Sequence, residues 1–180
     1  MGMESSYFRF TTRAEEEGGD IVANKRRVFA TTWGVTMLAA AIFFVVVVLL
    51  NAPISRAMGS AYVENPLFVP IVAAIVMLDV WTMVPFSRLR EQGRALRFVA
   101  LKAVNVLLNV SLAIAFGVAG LYATEFGVGW VFVANLVASG VTLLMILPTT
   151  ERTLPRIDRA LLAKILVYSL PLLVSGIAGT

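Results

Sequence analysis

Positive charge falls on alternate connections between four long apolar runs, and no other feature constrains the fold of this 180-residue chain as strongly. A helix needs roughly 20 apolar residues to cross the hydrocarbon core of a bilayer. Residues 28–50, 66–86, 98–121 and 128–147 each make such a run. Arg9, Arg13, Lys25, Arg26 and Arg27 precede the first, and Arg56 alone lies between the first and second. Arg88, Arg90, Arg94, Arg97 and Lys102 gather at the next turn. None falls between the third and fourth runs, and Arg152, Arg156, Arg159 and Lys164 follow the fourth. Fourteen of the fifteen Lys and Arg thus sit on alternate connections. The positive-inside rule assigns those connections, residues 9–27, 87–97 and 150–164, to the cytoplasm.

Composition supports lipid as the solvent. Hydrophobic residues make up 59% and charged residues 14%, where a soluble domain carries about a quarter charged. So few polar side chains cannot cover so much apolar surface in water. The net charge of +4 does not point to nucleic acid, because the basic residues lie at the ends of apolar runs. With no Cys and no His, thiol nucleophiles, His acid–base chemistry and Cys/His metal sites are excluded, and neither cofactor nor metal is expected. The first long apolar run comes too late and is too long for a secretory signal.

The fold class that follows is all-α: a polytopic membrane domain of four spanning helices in an antiparallel bundle. The segment FFVVVVLL is β-branched enough for a buried strand, but the length of its run decides for a helix. Asn51-Ala52-Pro53 is expected to stop the first helix and Pro148 the fourth. Pro66 and Pro70 fall in the first turns of the second, where a missing N–H costs little. Residues 165–180 are apolar but number only 16, and residues 1–10 read like the cytoplasmic end of a further helix. The expectation is a part of a longer, transporter-sized protein.

The loops carry no catalytic set. AEEEGGD reads as a solvated turn balanced by Lys25-Arg26-Arg27, and SRLREQGRALR as a tight helix–helix turn around Gln92-Gly93. Its arginines, Arg88, Arg90, Arg94 and Arg97, serve topology or also hold anionic head groups or a pyrophosphate. PISRAMGSAY fits a short amphipathic piece on the outer surface.

Inside the runs the polar residues are few and patterned. An Asp at mid-membrane costs about 2.5–3.5 kcal/mol on insertion scales, so Asp79 must face protein or water. Asp79 lies about 12 Å from the cytoplasmic end at 1.5 Å per residue, and Thr82 and Phe86 share its face. Lys102, Asn105 and Asn109 form a stripe on the third helix, extended by Ala113 and Gly120. Asn135, Ala138, Ser139 and Thr142 repeat it on the fourth, and Thr32, Thr36, Ala39 and Ala40 more weakly on the first. Such stripes are either helix–helix contacts or the lining of a hydrated path. A structural ion pair between Asp79 and Lys102 is expected, because the short turn sets the two at similar depth; a coupling-ion or proton site is the alternative.

Three stretches resemble a known family: GMESSYFRF, MLDVWTMVPFSRLREQGRALRFVALKAVNVLLNVSLAIAF and YSLPLLVSGIAGT. They are similar to bacterial polysaccharide biosynthesis proteins, the O-antigen and exopolysaccharide flippases of the multidrug/oligosaccharidyl-lipid/polysaccharide exporter superfamily. The resemblance runs the whole length, in order. It implies twelve to fourteen helices in two lobes around a cavity, with residues 1–10 ending helix 2, the four runs forming helices 3 to 6, and 161–180 beginning helix 7. It further implies the bacterial inner membrane, alternating access, a lipid-linked oligosaccharide substrate and the remaining helices as partners. No residue here matches the family's cavity arginines. Asn105, Asn109 and Asn135 are candidates for hydrogen bonds to sugar hydroxyls. Three other readings stand beside this one: a small-molecule or drug exporter of the same superfamily, an accessory subunit that transports nothing, and a membrane enzyme. The last needs clustered acids, and only Asp79 lies in a full run.

Overall fold

The computed structural model describes residues 7–12, 20–150, 158, 161–163 and 167. The partial helix expected at 165–180, the acidic run at 14–19, and Arg13, Arg152, Arg156, Arg159 and Lys164 lie outside them. The described residues are helical, without a strand, and four helices are long and apolar enough to span a membrane.

Helix α1, Ile21–Leu49, starts seven residues before the apolar run. Asp20 caps it, its carboxylate accepting the Ala23 N–H at 3.1 Å, so the basic turn joins the helix. Asn51-Ala52-Pro53 does not end helical structure; it redirects it. Pro53 falls in the first turn of α2, Asn51–Met58, where its missing N–H is not needed. Gly59, at φ 115°, breaks the chain before α3, Ser60–Glu64. Asn51 then donates to the Pro66 carbonyl at 2.9 Å, which closes this connection.

Helix α4 is Phe68–Glu91, with Pro85 inside it. Its C-terminus forms a Schellman turn: the Gly93 N–H reaches the Arg90 carbonyl at 3.1 Å and the Arg94 N–H reaches the Leu89 carbonyl at 2.9 Å. Gly93 supplies the φ of 68° this needs. Helix α5, Ala95–Val118, runs back, and α6, Gly129–Ile146, returns to finish in a short 3-10 segment, Leu147–Thr150.

Helix α4 packs on α1 to one side and on α6 to the other, and α6 packs on α5. Although a short turn joins them, α4 and α5 touch far less, so the spatial order is α1, α4, α6, α5. One core cluster joins Tyr7, Val28, Phe29, Trp33 and Val84; another joins Phe86, Leu89, Leu101 and Ile146. Around them α1 leaves Leu38, Ile42, Phe43, Val45 and Val46 exposed, and α5 is almost wholly uncovered. A continuous apolar surface on this scale belongs in lipid. The protein is a multi-pass membrane protein.

The basic connections converge on one end of the bundle. Lys25 pairs with Glu91 at 2.6 Å, Arg27 with Asp158, and Arg88 donates to the Thr150 carbonyl at 3.0 Å. The other end carries α2, α3 and an aromatic cluster of Phe68, Phe126, Phe132, Phe116 and Trp130.

Candidate functional site

Between α4 and α5, where the hairpin splays, lies a cleft of about 390 Å³. Its polar residues are Asp79, Thr82 and Arg90 from α4 and Lys102 from α5, and its walls are Val76, Val80, Met83, Phe86 and Phe98. Helix α6 holds the cleft open by fastening to both sides. Ser139 on α6 donates to the Asp79 carboxylate at 2.7 Å. Asn105 on α5 donates to the Thr142 hydroxyl at 2.8 Å, and Asn109 reaches the Asn135 side-chain oxygen at 3.5 Å. By side-chain hydrogen bonds each helix is tied to α6, while α4 and α5 meet directly near the turn, where the Phe86 and Phe98 rings pack edge to face at 5.4 Å.

These bonds show what the polar stripes do. Asn105, Asn109, Asn135, Ser139 and Thr142 make cross-helix contacts, and the small Ala138 is fully buried among them. On α1, Thr32, Thr36 and Ala40 are buried, whereas Ala39 faces outward. Only Lys102 of the α5 stripe lines the cleft.

Asp79 and Lys102 share the cleft but form no ion pair. Counted from Gly93, Lys102 lies nine residues from the turn, and its ammonium sits 4.6 Å from the centre of the Phe86 ring. Asp79 lies fourteen residues from Gly93, five more than Lys102 and so about 7–8 Å deeper. Side chains on a helix lean toward its N-terminus. In antiparallel neighbours that direction sends Lys102 toward the basic end and Asp79 away from it. A short turn does not bring residues to equal depth unless they are equally far from it. Asp79 therefore takes Ser139, and Lys102 takes an aromatic face.

The four turn arginines separate in role. Arg88 is only 8% exposed, with its guanidinium 4.5 Å over the Phe29 ring, and is consumed by the protein interior rather than offered to head groups. Arg90 is exposed and stacks between Phe8, at 5.6 Å, and Phe98, at 5.5 Å. Arg94 and Arg97 are exposed on the turn and the first residues of α5.

Three residues at this end escaped the sequence reading. Tyr7 is 1% exposed, and burial, then the nearby Glu91 carboxylate, push its phenol above the usual tyrosine range. Trp33 donates to the Trp81 carbonyl at 3.0 Å, and Trp81 donates back to the Met37 carbonyl at 3.2 Å, which locks α1 to α4. A Trp four residues before Pro85 was the available signal for the second pair. Among the described residues no three His, Cys, Asp or Glu side chains gather in one place. No family model matches the chain, and neither does any curated protein or solved structure.

Proposed function

We propose that this membrane protein belongs to a transporter that flips lipid-linked oligosaccharide or polysaccharide precursors across the bacterial inner membrane. The observation that carries the reading is the α4–α5 cleft, where Asp79 and Lys102 are both exposed and unpaired with one another inside apolar spans. Charges at such depth are retained where they meet water, substrate or another protein element. A cleft that joins two cations and a carboxylate to aliphatic and aromatic walls suits an amphiphile with an anionic head. The resemblance of the quoted segments to polysaccharide flippases names the same kind of substrate.

In this reading the basic end faces the cytoplasm, in accord with the charge alternation. The bundle rocks as one body against helices outside this chain, and the cleft contributes part of the path between them. The Ser139–Asp79 and Asn105–Thr142 bonds keep α4, α5 and α6 moving together. The chemistry is transfer without covalent change.

The test is complementation of a bacterial strain lacking its oligosaccharide flippase, by the longest protein that contains this chain. Surface polysaccharide should return with the parent and fall with Asp79→Leu and Lys102→Leu. Thiol labelling at Cys substitutions of both positions should show water access. Restoration by neither parent nor variants, with sealed positions 79 and 102, would reject transport. Restored resistance to small toxic compounds without polysaccharide would favour a drug exporter of the same superfamily.

A further inference from the structure

We propose that the α4–α5 cleft seats the phosphate of one anionic phospholipid drawn from the leaflet at the basic end. The site needs no transport activity, so it stands or falls apart from the reading above. Its mouth opens on the outside of the bundle: Val76 lines the cleft and is also 40% exposed. Residues flanking it, Val72 on α4 and Val99 on α5, are exposed and apolar, so the opening meets acyl chains rather than an enclosed core.

The charge inside is graded by depth. Lys102 is exposed, has no carboxylate partner among the described residues, and is propped over Phe86. Arg90 lies closer to the basic end on the same cleft, its guanidinium against Phe98. Asp79 lies deepest and is already committed to Ser139 through one oxygen. An anion entering from the membrane surface meets two cations first and a carboxylate last. The carboxylate repels it, which fixes the phosphate at the rim, beside Lys102, and leaves the acyl chains to run out past Val76 and Val80. A zwitterionic head would bring its own cation against Lys102 and Arg90, so the site selects net negative lipid.

The chain, reconstituted into nanodiscs of equal phosphatidylglycerol and phosphatidylcholine and then extracted, is examined by native mass spectrometry for retained lipid. One phosphatidylglycerol should be kept in preference to phosphatidylcholine. Lys102→Gln should lower that retention about fivefold, the effect of about one charge at a membrane surface. Lys102→Arg should keep it, and Arg56→Gln, at the opposite end, should leave it unchanged. Equal retention of the two lipids by the parent chain overturns the proposal, whatever the variants do. So does undiminished retention in a Lys102→Gln protein that reconstitutes normally. If that variant does not reconstitute, the parent's preference must weaken as salt is raised; a preference indifferent to salt also overturns it.

Discussion

Trp33 donates its indole N–H to the carbonyl of Trp81, the carbonyl that Pro85 leaves without its helical partner. In an unbroken helix the N–H of residue 85 would bond to the carbonyl of residue 81, and proline has none. A bare carbonyl inside a membrane is costly. The neighbouring helix supplies the missing donor, so the α1–α4 contact repairs a defect in α4. The returning bond from Trp81 to Met37 makes the contact reciprocal.

Trp33→Phe should therefore destabilise the bundle by about 1–2 kcal/mol, the cost of leaving a buried acceptor unmet. Combined with Pro85→Ala, which restores an N–H at residue 85, the same change should cost clearly less. Unfolding in mixed micelles with rising dodecyl sulfate measures both. Strict additivity would separate the indole from the proline.

Ser139→Ala removes the one hydrogen bond drawn from α6 to the cleft carboxylate. Cross-helix bonds in membranes contribute about 0.6 kcal/mol on average and up to about 1.7, and a charged acceptor places this one toward the upper end. Asp79→Asn keeps an acceptor and should cost less than Ser139→Ala in the same unfolding assay. The reverse order would mean that the charge, not the bond, holds α4 to α6.

Gly129→Ala tests the aromatic cluster at the opposite end. A Cβ on Gly129 would clash with the Phe126 ring, which is itself wedged against Phe68 and Trp130. Overpacking of this kind costs about 1–3 kcal/mol. Gly140 on the same helix has open space at its Cβ position, so Gly140→Ala should be neutral or stabilising.

Tyr7 should ionise late. Its phenol, buried beside Glu91, is held above the ordinary value, which is about 10. A group whose folded value is raised contributes its full stability below the unfolded value and loses it as pH climbs beyond. Tyr7's contribution to stability should be constant below pH about 10 and fall above it. Tyr7→Phe should shallow that alkaline fall and remove one late step from the ultraviolet phenolate titration.

The spans were legible in the sequence because length and hydropathy need no partner to be read. Their ends were less so: Asp20 capping extends α1 through Lys25, Arg26 and Arg27, and Pro53 starts a helix instead of stopping one. The stripes disclosed that Asn105, Asn109, Asn135 and Ser139 were special, but not which helix each would meet. That depends on α6 lying between α4 and α5 in space, which chain order does not reveal. The Asp79–Lys102 pair does not form because Asp79 lies five residues further from the turn than Lys102 and the two side chains lean in opposite directions. Arg88 looked like its neighbours until packing buried it under Thr150 and over Phe29.

Membrane sidedness decides the account most directly. The chain has no native Cys, so Ser60→Cys, after α2, and Ala95→Cys, after the α4 turn, each give a single exposed thiol at opposite ends of the bundle. In intact cells or sealed vesicles of known orientation, a membrane-impermeant maleimide should label position 60 from the non-cytoplasmic side at once and position 95 only after the membrane is opened. Labelling of both from one side would contradict a bundle whose basic end faces the cytosol.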